Sequence, residues 1–128
     1  MRLLLDTCTF LWLISEPNRL GPDARDLVED GDNELVLHQA SALEIQIKHQ
    51  IGKLRLSESP ERVVREGLHL HGIRYQTLED SDIWHLKKLP PHHRDPFDRL
   101  LISSALCHGW MLVTPDPEIE KYPVRTIW

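Results

Sequence analysis

Short, continuously apolar runs alternate along this chain with stretches of helical character, and that alternation limits the fold more than any other feature. Arg2 to Leu5 reads as a buried strand whose apolar run stops at Asp6. Thr7 to Ile14 reads as a helix with an unusually apolar surface, carrying Phe10, Leu11, Trp12 and Leu13. Pro17 and Gly21-Pro22 break it ahead of a polar helix at Asp23–Glu29, and Glu34–Leu37 is a second strand. Ser41 is the expected N-cap of a helix from Ala42 to Ile51, with Glu44 three residues on as in a capping box. Lys53–Ser59 is a loop, Pro60 opens a helix to Leu70, Ile73–Leu78 is a strand, and Glu79–Leu89 is a short helix stopped by Pro90-Pro91. A helix begins after Asp95-Pro96, Gly109 ends it, Trp110–Thr114 is a strand and Val124–Trp128 an edge strand. Strands alternating with helices predict an α/β fold with a mainly parallel sheet covered on both faces, in one domain over residues 1–128.

In such a sheet, ligands bind just beyond the carboxyl ends of the strands. Asp6 and Asp116 each follow an apolar strand there. Glu44 and Asp98 are expected in the first turns of helices that begin at the same edge. Asp95 reads mainly as the cap of its helix, with Pro96 at the first helical position. Asp98 then takes the third position, where the helix dipole favours an ionised carboxylate. Each acid has a local reason to be where it is: a cap at Asp6, a pair with Lys48 at Glu44, a turn at Asp116. Four together at one rim repel, and they are tolerable when cations sit among them. All-oxygen ligands suit Mg²⁺, with Mn²⁺ as a substitute. The chemistry most naturally built this way is phosphodiester hydrolysis.

Composition supports a globular chain, with 41% hydrophobic and 27% charged residues. No apolar run approaches the roughly 20 residues that span a bilayer, so no membrane partner is expected. Asp6 interrupts the N-terminal run too early for a signal peptide. Cys8 and Cys107 follow no metal or disulfide spacing and fit free thiols in a reducing cytoplasm. A net charge of −5 argues against nonspecific nucleic-acid binding, an objection that shrinks if the carboxylates hold cations. Two basic groups flank the acidic segments. Lys48, Lys53 and Arg55 form one, and Lys87, Lys88, His92, His93, Arg94 and Arg99 the other; contacts to RNA phosphates are expected from Lys53, Arg55, His93, Arg94 and Arg99. The histidines lack zinc spacing and are expected to face solvent or RNA.

Leu3-Leu4-Leu5-Asp6-Thr7, Ser41-Ala42-Leu43-Glu44-Ile45, His93-Arg94-Asp95-Pro96-Phe97-Asp98-Arg99-Leu100-Leu101 and Leu112-Val113-Thr114-Pro115-Asp116 resemble, in order, the motifs of PIN-domain ribonucleases, and among them the VapC toxins of bacterial type II toxin–antitoxin pairs. The resemblance implies a PIN-like three-layer α/β/α sandwich, Mg²⁺-dependent endoribonuclease activity, a homodimer and inhibition by a VapB-type antitoxin. By position it assigns Asp6, Glu44, Asp98 and Asp116 to the metal-binding set, with Thr7 and Thr114 as polar neighbours. Cys8, Leu43 and Pro115 depart from residues common in that family, and none of the three replaces a carboxylate. A PIN-like module that grips RNA or protein without cutting is the alternative, and the intact acids argue against it. A phosphoacceptor using Asp6 is disfavoured because no second aspartate stands two residues later. The apolar helix at Phe10–Ile14, with the Ile47–Leu56 segment, is expected to be covered by antitoxin or by the dimer mate.

Overall fold

The computed structural model describes residues 1–128. Five strands, β1 (Arg2–Leu5), β2 (Glu34–His38), β3 (Arg74–Gln76), β4 (Met111–Val113) and β5 (Thr126–Ile127), form one sheet in the order β3-β2-β1-β4-β5, and every pairing is parallel. Leu3, Leu4 and Leu5 of the central strand are all completely buried, because parallel strands covered on both faces have no solvent side. Leu4 points into a core with Val36, Leu112, Leu101, Ile102 and Ala105. Leu3 and Leu5 point the other way, into a core with Leu35, Leu37, Val113, Phe10 and Ile45. The fold is the expected α/β/α sandwich.

Seven α-helices supply the outer layers: α1 (Thr7–Ser15), α2 (Pro22–Glu29), α3 (Gln39–Gln50), α4 (Pro60–Leu70), α5 (Asp80–Trp84), α6 (Pro96–His108) and α7 (Pro117–Glu120). The α6 boundaries follow from its caps. Asp95 Oδ1 accepts from the amides of Phe97 and Asp98, and Gly109 takes the left-handed C-cap at φ 72°.

Three expectations need correction. Ser41 is not an N-cap: α3 starts earlier, at Gln39, where the His38 ring accepts from the Ala40 amide at 2.9 Å. Ser41 therefore falls inside the first turn and Glu44 in the second, so no capping box forms. The strand expected at Ile73–Leu78 is only three residues long. The helix expected over Glu79–Leu89 divides into α5, begun by a reciprocal Glu79–Asp82 capping box, and a 3₁₀ turn at His85–Lys88, whose Leu86 carbonyl accepts from both the Leu89 amide and Arg99. The apolar α1 is also partly covered from within. Phe10 is wholly buried, while Trp12 meets the Trp128 ring at 5.7 Å and carries the Arg19 guanidinium 4.2 Å over its face.

Helix α4 crosses α1 at Gly67, where a methyl group would lie 2.8 Å from Phe10 Cζ and 3.1 Å from Ile14 Cγ2. Phe10 is fully enclosed and has nowhere to move. Gly67→Ala is therefore expected to lower stability by about 1 kcal/mol or more in urea unfolding, overpacking outweighing the roughly 1 kcal/mol gain in helix propensity.

Candidate functional site

The ends of β1 and β4 lie side by side, so the residues that follow them meet. Asp6 caps α1 through Oδ1, which accepts from the Thr9 amide at 2.8 Å. Its Oδ2 accepts from the Thr114 hydroxyl, and the same hydroxyl accepts from the Asp116 amide at 3.1 Å. Asp116 caps α7 with Oδ1 and leaves Oδ2 facing the rim. Glu44 reaches the rim from the second turn of α3 and is 5% exposed. Its Oε1 accepts from Thr7 Oγ1 at 2.6 Å, and its Oε2 pairs with Lys48. Ser41, which no motif singled out for this place, packs its hydroxyl 3.0 Å from that of Thr7.

His93 lies between Asp98 and Asp116. Its Nε2 is 2.9 Å from Asp98 Oδ2 and 3.2 Å from Asp116 Oδ2, and its Nδ1 accepts from the Asp95 amide at 3.2 Å. An Nδ1 that accepts leaves a ring proton on Nε2, which donates to Asp116 Oδ2 while Asp98 Oδ2 lies beside it within ion-pair distance. The expectation of a solvent- or RNA-facing histidine does not describe this residue. Its neighbourhood in sequence is a basic loop, and nothing in the spacing indicates that the ring turns inward.

The charges reinforce one another. Asp98 is pushed up to about 7, first by burial and then by the carboxylates of Asp95 and Glu44, with Asp6 adding to them and His93 opposing. The helix dipole, expected to keep Asp98 ionised, is outweighed. Burial and the adjacent Asp6 raise the Cys8 thiol, which donates to Asp6 Oδ1 and stays protonated. Burial disfavours the Lys48 ammonium, but the hydrogen bond and charge of Glu44, helped by Asp95 and Asp98, raise it overall. Asp6, Glu44, Asp95 and Asp98 thus act on one another through space. Ligating atoms of His93, Asp98 and Asp116 lie within 4.8 Å of each other. A concentration of carboxylate oxygens this close, with one member driven toward protonation, is a donor set that fits a hard divalent cation.

The basic residues divide. Lys53 is exposed and lines a cavity of about 270 Å³ beside the rim, together with Thr7, Glu44, Lys48 and Trp12. Arg94 is exposed on the loop before α6. Arg55 lines a different groove, between α1 and α4. Arg99 is turned inward, donating to the carbonyls of Pro90 and Leu86 and to the hydroxyl of Tyr122. That buried tyrosine hydroxyl also accepts from the His93 amide at 2.7 Å, so Arg99 and Tyr122 hold the loop that carries His93.

A second buried pair lies behind the site and was not legible in the sequence. His38 Nε2 meets Asp82 Oδ2 at 3.0 Å with both residues fully buried, and Asp82 Oδ1 has no partner in the chain. Asp82 sits in the acidic run Glu79-Asp80-Ser81-Asp82, where it looks like one more capping acid.

Residues 3–124 match the family model of the PIN domain. The chain belongs to the PIN-domain family. Over 131 aligned residues it is 30% identical to Ribonuclease VapC22 of Mycobacterium tuberculosis, covering 98% of both chains. Solved structures with the same fold include VapBC2 of Rickettsia felis bound to a promoter DNA fragment, with a TM-score of 0.73, 17% identity and coverage of 100% of this chain and 99% of that one. DNA-bound VapBC of Salmonella typhimurium gives 0.69 at 16% identity, covering 99% and 97%. VapBC-1 of nontypeable Haemophilus influenzae gives 0.66 at 17% identity, also covering 99% and 97%.

A carboxyl raised in the folded state loses stability as pH climbs, because the folded chain keeps a proton that the unfolded chain has released. Asp98 should therefore destabilise the EDTA-treated protein progressively as pH rises from that of an ordinary carboxylate to about 7, with the full penalty above it. In thermal melts at pH 8 in EDTA, Asp98→Asn is expected to melt higher than wild type, and the difference should vanish near pH 4.

Proposed function

We propose that this chain is a divalent-metal-dependent endoribonuclease toxin of the VapC type. It hydrolyses RNA phosphodiester bonds at a rim formed by Asp6, Glu44, Asp98 and Asp116. The observation that carries this reading is the approach of the Asp98 and Asp116 carboxylates to a single point, with the charge of Glu44 and Asp6 bearing on Asp98. The 30% identical relative named as a ribonuclease supports the same class of reaction. One PIN domain over residues 1–128 would carry the whole activity, acting in the cytoplasm. No helix is long and apolar enough to cross a membrane.

Asp98 and Asp116, with Asp6 and Glu44 beside them, would hold Mg²⁺ or Mn²⁺. The ion would activate the attacking water and offset charge on the phosphodiester. The chain's own residues do the positioning. Thr114 holds Asp6, Thr7 and Lys48 hold Glu44, and Asp95 orients the first turn of α6 that carries Asp98. Lys53 and Arg94, both exposed, would meet the backbone phosphates of a single strand lying across the rim. In total or structured RNA, Mg²⁺- or Mn²⁺-dependent cleavage is expected, and Asp98→Asn should reduce it more than about 100-fold while preserving the circular dichroism of the fold. RNA binding without turnover by the folded, metal-loaded protein would instead favour a non-catalytic binding module.

Solved structures that share this fold include VapBC complexes, which supports a VapB-type antitoxin as partner. Leu43 and Ile47 on α3 and Ile51 at its C-cap recur at helical spacing and are 52%, 38% and 59% exposed, an apolar stripe that suits a protein partner or the second subunit of a homodimer. Ile47→Asp is expected to weaken homodimerisation or antitoxin binding at least about tenfold, read by analytical ultracentrifugation of the toxin alone and by calorimetry with antitoxin.

A further inference from the structure

The position of His93 bears on how the rim is regulated. Metal-ligating histidines present a bare nitrogen to the ion and donate their other ring N–H to a carbonyl, carboxylate or water. His93 has the opposite arrangement. Its Nδ1 faces a backbone donor, the Asp95 amide, so its Nε2 carries a proton, which it donates to Asp116 while lying 2.9 Å from Asp98 Oδ2. A nitrogen in this state has no lone pair to offer a metal. It occupies the point at which the two carboxylates converge, where a cation would sit. A Mg²⁺ or Mn²⁺ ion needs carboxylate oxygens at about 2.0–2.2 Å, and it cannot share that point with an N–H already 2.9 and 3.2 Å from the same oxygens.

Resting on the metal-site reading above, we infer that His93 is a built-in stand-in for the cation. Its ring holds Asp98 and Asp116 together and must swing aside, without becoming a ligand, for the ion to enter. The loop is constructed for a side-chain movement alone. The His93 amide is fixed to Tyr122 at 2.7 Å, and Arg99 ties the same tyrosine to the Pro90 carbonyl, so the backbone stays while the ring rotates. The bond given up on the far side of the ring, to the Asp95 amide, is long at 3.2 Å. His93 then competes with the metal directly, and its removal exposes the full affinity of the carboxylates.

The test is Mn²⁺ and Mg²⁺ binding to the full chain by isothermal titration calorimetry, for wild type, His93→Ala and Asp98→Asn. His93→Ala is expected to bind both ions about tenfold more tightly and to melt lower than wild type in EDTA, because Asp116 loses its hydrogen bond and the ring no longer lies between the two carboxylates. Asp98→Asn is expected to lose binding. Unchanged or weaker binding by His93→Ala, with Asp98→Asn still defective, overturns the stand-in and leaves the metal site standing. Wild-type affinity in Asp98→Asn overturns the metal site itself. Imidazole ¹⁵N–¹H spectra of the wild-type protein supply a check that needs no variant. In EDTA the His93 ring should show the Nε2–H tautomer, and on titration with Mg²⁺ its Nε2 should keep its proton. An Nε2 that sheds its proton as Mg²⁺ binds would make His93 a ligand and end the proposal.

Discussion

Parallel pairing of β1 with a neighbour on each side is the constraint from which the rest of the rim follows. Leu5 is in register with Leu37 on one side and Val113 on the other. The chain therefore leaves the sheet at Asp6, at His38 and at Thr114 on one common edge. Burial on both faces leaves β1 no slack: a slip of one residue would exchange the cores that receive Leu3, Leu4 and Leu5 and would carry Asp6 into the sheet. The acids converge because the hydrophobic register permits no other arrangement.

Around that edge, helix starts turn backbone amides toward carboxylates. Asp6, Asp95 and Asp116 all cap helices, and each spends one oxygen on that bond. For Asp6 and Asp116 the remaining oxygen is directed at the rim, while the Asp95 charge bears on Asp98 from behind. A capping role and a site role are therefore the same geometry seen from its two oxygens. This explains why each acid has a sufficient local explanation when taken alone. The cost is a group of like charges in partial burial, offset by Lys48 on the Glu44 side and by the His93 ring between Asp98 and Asp116 on the other.

Much of this was legible in the sequence because it rests on local rules. The all-apolar strand ending in Asp6, the Asp95-Pro96 helix start and the Gly109 stop are short-range signals, and the structure has them within a residue or so. What escaped notice depends on contacts between distant segments. The start of α3 shifted because a histidine ring, not a serine hydroxyl, capped it, and that ring is held in place by Asp82, 44 residues away. Arg99 looked like a phosphate-binding cation and is instead occupied by the Leu86 and Pro90 carbonyls and Tyr122, 23 residues downstream. The inward turn of His93 depends on that same tyrosine. Propensity and spacing carry no information about which side chains a later segment will capture.

The bond from Thr114 to Asp6 joins positions 108 residues apart, and the Asp6 amide bonds to the Val113 carbonyl across the same gap. Contacts of such separation form late, after the intervening chain has been placed. As the polypeptide leaves the ribosome, β1 must wait as an exposed apolar strand until β4 has been made, and Asp6 has neither of these partners until then. Any truncated or stalled product lacking residues 111–116 would consequently be without the assembled rim. A chain of this kind cannot assemble its rim until residues 111–116 have left the ribosome.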